Sequence, residues 1–294
     1  MATRKQWIEG ARPRTLPAAI APVLVGSAIA SYEQGFRVGV AFLALVVSLA
    51  LQVGVNYSND YSDGIRGTDE KRVGPVRLVG QKLASPGEVK KAAFVSYGIG
   101  ALAGLGMVAL SGYYLLLPVG LAAIVAAWFY TGGPRPYGYA GFGEVFVFVF
   151  FGLVAVIGTS ASQTGHISTL SVLAGCGCGL ISTAILVVNN LRDIPGDTLA
   201  GKRTLAVRMG DAKTRAFYFV CLAIAVLLPV AMSRTGVNPP KQASLALFAV
   251  VLAVRPLRTL RSGAMGRDLI PVLADTGKLL MLYAVLLAVG IALS

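Results

Sequence analysis

Nine stretches of about 18 to 24 mostly apolar residues follow one another along this 294-residue chain, over 15–32, 38–59, 89–111, 113–130, 142–161, 168–191, 214–233, 242–260 and 270–293. A helix needs about 20 such residues to cross the hydrocarbon core of a bilayer, whereas a barrel strand needs about 10. In lipid every backbone N–H and C=O must be satisfied within the spanning structure, so stretches of this length become helices. The sequence therefore predicts an all-α integral membrane fold of nine transmembrane helices, forming one domain over 1–294. The composition agrees: 55% of residues are hydrophobic and 13% charged, which excludes an ordinary soluble enzyme and a disordered chain. The basic stretch Met1–Arg14 leads into an apolar run too long for a signal peptide and is read as the approach to the first span.

Charge placement orients the spans. Lys and Arg number 26 against 13 Asp and Glu, a net +13. In a soluble protein this excess would suggest nucleic acid as a partner. Here 22 of the 26 fall on the N-terminus and the alternate connections that share its side. Arg37, Arg234 and Lys241 fall on the other, and Lys278 lies within the last span. Positive charge marks the cytoplasmic side. The N-terminus is expected to be cytoplasmic and the C-terminus outside, with the bilayer rather than nucleic acid as partner. Cys176, Cys178 and Cys221 all sit in apolar runs and His166 stands alone in a short connection, so neither a zinc cluster nor a disulfide framework is expected. The glycines around Cys176 and Cys178 suggest close helix packing.

Two connections, about 60–88 and 192–213, are long, polar and cytoplasmic, and are expected to form a cap. They resemble each other. Asn56 and Asp60 of the first match Asn189 and Asp193 of the second, 133 residues on, and each copy has a further acid, Asp63 or Asp197. Lys71-Arg72 followed by Arg77 matches Lys202-Arg203 followed by Arg208, 131 residues on. Four spans separate the copies, so the repeat is parallel, with halves of approximately 1–140 and 141–294. Inverted repeats, common in transporters, would not give this pattern.

Residues three and four apart share a helix face. Asn56, Asp60 and Asp63 therefore line up at the end of span two, and Asn189 and Asp193 at the end of span six, where Pro195 is expected to break the helix. Acids at helix C-termini face an already negative dipole end, so several in one pocket require a cation. Hard carboxylate oxygens suit Mg2+, which bridges one or two carboxylates to substrate phosphates. Lys71, Arg72, Arg77, Lys202, Arg203 and Arg208 supply the positive charge a polyanion needs. Carboxylates, a divalent metal and a basic rim above an apolar bundle fit a lipid diphosphate.

Nine apolar spans and two Asp-rich motifs on one face make the chain similar to the UbiA superfamily of intramembrane prenyltransferases. Stretches such as Ala11–Pro17, Asn59–Gly64, Tyr130–Pro134, Gly141–Glu144, Asn189–Asp193 and Gly201–Ala206 resemble its menaquinone-forming branch. That resemblance implies a bacterial cytoplasmic membrane enzyme. It would join a polyprenyl diphosphate to 1,4-dihydroxy-2-naphthoate, releasing diphosphate and CO2. Asp60 and Asp193, with Asp63 or Asp69 in the first copy and Asp197 in the second, would hold the metal. The usual position of the first copy's outer acid is Gly64, and Asp63 and Asp69 flank it. Asn56, Asn189 and the basic residues would face the diphosphate, with Lys71 and Lys202 nearest the chemistry. Tyr130 and Glu144, at the cytoplasmic ends of spans four and five, are candidates for the acceptor. Arg12 and Arg14 either pair with its carboxylate or simply anchor the topology. An acceptor such as 4-hydroxybenzoate, or an anion transporter, are the alternatives.

Overall fold

The computed structural model describes residues 2–67, 76–236 and 238–294, and among them every regular element is helical. In chain order these are α1 (Arg4–Gly10), α2 (Pro17–Tyr32), α3 (Val38–Ile65), α4 (Pro86–Ser111) and α5 (Leu116–Phe129). They are followed by α6 (Gly143–Thr164), α7 (Thr169–Leu199), α8 (Asp211–Met232), α9 (Lys241–Arg261) and α10 (Gly266–Ala292). Among the described residues seven helices are long and apolar enough to cross a membrane alone, and α1 with α2, bent by 52°, makes an eighth candidate. The fourth apolar stretch forms only the 14-residue α5, about 21 Å at 1.5 Å per residue. It is shorter than the hydrocarbon core, so helix length alone does not reach nine crossings.

Local chemistry sets the helix ends. Ser85 and Glu88 form the expected capping box before α4, satisfying amides that have no partner in the first turn. Gly112, in the left-handed region at φ 71°, closes α4 and turns the chain tightly into α5. Pro195 does not break α7, contrary to the sequence expectation. The helix runs on to Leu199: the ring removes one N–H from the ladder, and the turn beyond it is closed by Ala200 N donating to Gly196 O (3.0 Å). The last turn is also held by Thr198 Oγ1 donating to Ile194 O (2.7 Å) and Lys202 N donating to Asp197 O (2.8 Å).

Small residues bring α6 onto α7 as the sequence suggested. A Cβ on Gly152 would lie 2.5 Å from both Gly175 O and Gly179 Cα. Gly152 sits within a π-helical turn over Val149–Val154, a distortion frequent near functional sites. In α9, Lys241–Ala253 wind as a 3-10 helix. Three residues per turn stack Ala243, Ala246 and Ala249 into one buried row, and a Cβ on Gly290 of α10 would meet Gln242 O at 2.1 Å. The core gathers around α7, with α2, α8 and α10 against it. Leu102 and Leu110 of α4 and Leu115 just before α5 remain exposed, as lipid contact requires. Asp275 pairs with Lys278 (3.2 Å), as expected, and also with Arg255 (3.4 Å). His166, in the connection after α6, has its Nε2 3.4 Å from Glu33 Oε2.

Candidate active site

A cavity of about 1020 Å³ runs between α3, α4, α5, α6 and α7. Its lining on α3 reaches from Ala44 to Asp63, about 29 Å along the helix, the thickness of a hydrocarbon core. Most of the wall is apolar, including Val47, Leu51, Leu121, Phe146 and Phe150. Polar groups gather at one end: Asn56, Asp63, Arg77, Asn189, Asp197 and Lys202.

The two sequence copies meet there. Lys202 Nζ lies 2.8 Å from Asp63 Oδ1 of the first copy and 4.0 Å from Asp197 Oδ1 of the second. The ammonium also sits 4.5 Å from the centroid of the Tyr139 ring, and Tyr139 Oη donates to Asp63 Oδ1. Burial, and then the negative charge of Asp63, push the Tyr139 phenol far above the usual tyrosine range, so it remains a donor. Arg66 lies over the same ring and donates to Thr131 O and Gly133 O, both at 2.6 Å. Thr131 in turn donates to Asn59 (2.8 Å).

The central acids are placed differently. Asp60 turns away from the cavity lining and accepts the backbone N–H groups of Leu78 (2.7 Å) and Val79 (3.1 Å). That fixes the turn just after Arg77, which is buried and lines the cavity. Asp193 accepts from Arg192 Nε (2.7 Å) and Nη2 (2.8 Å). Gly64 explains the displaced outer acid of the first copy. A Cβ there would lie 2.4 Å from Val79 Cγ1, so no acid fits at that position and Asp63 faces the cavity instead. Asp69, Lys71 and Arg72 lie outside the described residues.

Asn56 holds the N-terminal segment: its Nδ2 donates to Ala11 O (2.8 Å) and Thr15 Oγ1 (3.0 Å). Between those anchors Arg12 adopts a left-handed backbone, φ 55°, unusual for a residue with a side chain. Arg12 and Arg14 both line the cavity mouth. Asn189 Oδ1 accepts from Arg192 Nη2 (2.9 Å). Tyr130 lines the cavity and leads an aromatic column. Its ring meets Tyr137 edge-on (5.5 Å), Tyr137 stacks on Phe146 (3.9 Å), and Phe146 on Phe150 (6.0 Å). Glu144 is buried behind the wall and reaches it through Asn190, whose Nδ2 donates to Glu144 Oε1 (2.8 Å). Arg203 and Arg208 are not in the lining; Arg208 Nε donates to Arg203 O (3.0 Å) and Arg203 N to Tyr139 O (2.9 Å). Asn59, Arg66, Tyr139, Asn190 and Arg192 were not singled out by the sequence. Asn59, Asn190 and Arg192 stand inside the quoted motifs, and only helix phase distinguishes them from their neighbours.

The donor set suits a hard divalent ion. Among the described residues no three His, Cys, Asp or Glu side chains form a ready cage. Two carboxylates from opposite copies converge on one cation, Lys202. Mg2+ is usually held in this way, by one or two carboxylates with substrate phosphates completing its shell.

Residues 19–268 match the model of the UbiA prenyltransferase family. The chain is 51% identical to a 1,4-dihydroxy-2-naphthoate octaprenyltransferase of Mycobacterium tuberculosis, over 99% of this chain and 98% of that protein. It is 49% identical to the protein of the same description from Mycobacterium leprae, over 100% of this chain and 98% of the relative. A solved UbiA homolog from Archaeoglobus fulgidus bound to GPP and Mg2+ superposes with a TM-score of 0.71 at 14% identity, covering 98% of this chain and 100% of that one.

Proposed function

Because the chain belongs to the UbiA prenyltransferase family, we propose that it transfers a polyprenyl chain from polyprenyl diphosphate to 1,4-dihydroxy-2-naphthoate, releasing diphosphate and CO2 and giving demethylmenaquinol. One observation carries this: 51% identity, across almost the whole length of both chains, to a naphthoate octaprenyltransferase. The cavity supports it, being polar at one end and apolar over the remainder.

Asp63 and Asp197 would hold Mg2+, together with diphosphate oxygens. The ion would neutralise charge developing on the departing diphosphate. Lys202 and Arg77 add positive charge at the same end. The hydrocarbon tail lies in the apolar slot. As the C–O bond to diphosphate breaks, the faces of the Tyr130–Phe150 aromatic column stabilise the allylic cation. The electron-rich naphthol ring attacks through its carboxylate-bearing carbon. The bond to the carboxylate then breaks, its electron pair restores the aromatic ring, and CO2 departs. Arg12 and Arg14, at the mouth, bind the acceptor carboxylate. Asp60 and Asp193 act as positioning residues, one for the turn beside Arg77 and one for Arg192.

In this reading α5 completes nine crossings, the N-terminus and the polar end are cytoplasmic, and the C-terminus is outside. The lopsided distribution of Lys and Arg supports that orientation, as does the gathering of the basic segments at the polar end.

The test is a purified preparation in lipid given a polyprenyl diphosphate, Mg2+ and a panel of aromatic acceptors. The naphthoate should be preferred, with one CO2 released per transfer. Prenylation of 4-hydroxybenzoate with its carboxylate retained, and none of the naphthoate, would replace the acceptor. No prenyl transfer at all would overturn the proposal.

A further inference from the structure

Asn190 is committed at only one end of its amide. Its Nδ2 donates to Glu144 Oε1 at 2.8 Å, and among the described residues its Oδ1 takes no donor. The side chain lines the cavity. Its neighbour Asn189 differs, because Asn189 Oδ1 is occupied by Arg192 Nη2 at 2.9 Å. A carboxyl oxygen accepting from Asn190 fixes which way the amide points. The buried acid therefore leaves a carbonyl oxygen, and not an N–H, for the cavity. Glu144 is itself 4% exposed and its Oε2 is buried without a partner among the described residues. Such a group is costly to bury without a role. The acceptor end of the cavity is close at hand. A Cβ on Gly143, the residue before Glu144, would lie 3.3 Å from the Tyr130 ring and 3.4 Å from Leu186, one turn before Asn190.

We infer that Glu144 orients Asn190 so that its Oδ1 accepts a hydrogen bond from a ring hydroxyl of the aromatic acceptor, which makes Asn190 the residue that selects a hydroxylated ring. The inference rests on the prenyl-transfer reading above and names the group that reads the substrate. Accepting from the hydroxyl also pushes electron density into the ring without removing its proton. Glu144 does not touch the substrate and is a positioning residue.

The experiment compares the naphthoate with two analogues, each carrying one hydroxyl as its methyl ether, on the wild type and on Asn190→Leu, Glu144→Leu and Glu144→Gln. The wild type should lose about tenfold or more in kcat/KM for one ether, because a site built to pair a hydroxyl rejects its absence. Asn190→Leu and Glu144→Leu should lose about tenfold on the natural acceptor. They should raise its KM, leave the prenyl-donor KM in place, and no longer distinguish that ether. Glu144→Gln keeps a carbonyl for Asn190 Nδ2 and should recover most of the discrimination. If Asn190→Leu fails to insert, Glu144→Leu and Glu144→Gln decide the matter. Unchanged discrimination in the inserted Leu variants, or equal changes in both substrate KM values, would overturn the inference while prenyl transfer stands. A wild type that prenylates a different hydroxylated ring would be tested with that ring's own ether. A wild type with no prenyl transfer would overturn both readings.

Discussion

The first and second copies of the Asn/Asp motif start from the same spacing and end in different work. Asp60 spends both oxygens on backbone amides of a turn, whereas Asp193 spends them on the guanidinium of the adjacent Arg192. The outer acids behave alike: Asp63 and Asp197 come to the same ammonium from opposite halves. Asp63 follows Asp60 by three positions and Asp197 follows Asp193 by four, and Gly64 against Val79 explains the shift. Duplication supplies two similar helices; packing around each decides which acid looks inward.

The largest effect should come from the pair that converges. Asp63→Asn or Asp197→Asn should lower kcat by about 10³-fold, the scale of losing a group that stabilises transition-state charge, while the protein still inserts. Near-normal turnover in both would show that the convergence is structural.

Lys202→Met comes next, at about 10²-fold. The methionine keeps bulk but removes the ammonium between the copies and beside the diphosphate. Full activity in this variant would separate the ammonium from the chemistry.

Asp60→Asn breaks the asymmetry on the other side. An amide cannot accept from both Leu78 and Val79, so about 1–3 kcal/mol of stability should go, read as a lower Tm in detergent. Gly64→Ala should cost a similar amount, because its methyl enters the space of Val79. An unchanged Tm in both would mean the turn at 78–79 is not held as described.

Tyr139→Phe is the mildest, about three- to tenfold in rate, since the ring stays beneath Lys202 and only the hydroxyl is lost, with its hydrogen bond to Asp63 and the long one it accepts from Arg66 Nη1 (3.4 Å). Burial and Asp63 raise the folded-state pKa of Tyr139. Its contribution is therefore present below the unfolded value, about 10, and falls as pH rises past it. The variant should lose less stability than the wild type between about pH 10 and 11. Parallel alkaline stability curves would place that tyrosine outside the cluster.

The membrane-spanning class was legible because hydropathy needs no tertiary information, and all nine apolar stretches became helices. Other features depend on neighbours far along the chain. The shortness of α5, the 3-10 winding of α9 against Gly290 and the continuation of α7 through Pro195 are of this kind. At the site, the duplicated acids and Lys202 could be read from spacing. Spacing could not tell that Asp63 lines the cavity while Asp60 faces a turn, because the amides that donate to Asp60 lie 18 and 19 residues further along the chain. Tyr139 and Arg66 carry no motif; Tyr139 joins the site because a connection 76 residues after Asp63 folds over it, and Arg66, at the end of α3, holds that connection through Thr131 O and Gly133 O.

The central claim is that one acid from each copy builds a single metal–diphosphate site. The direct measurement is Mg2+-dependent binding of a non-reacting prenyl thiodiphosphate to the wild type, Asp63→Asn, Asp197→Asn and the double variant. Residues that share one ion act as a unit, so each single change should remove most of the Mg2+-dependent affinity and the double should be little worse than either. Additive losses, or a single variant that binds like the wild type, would contradict a shared site.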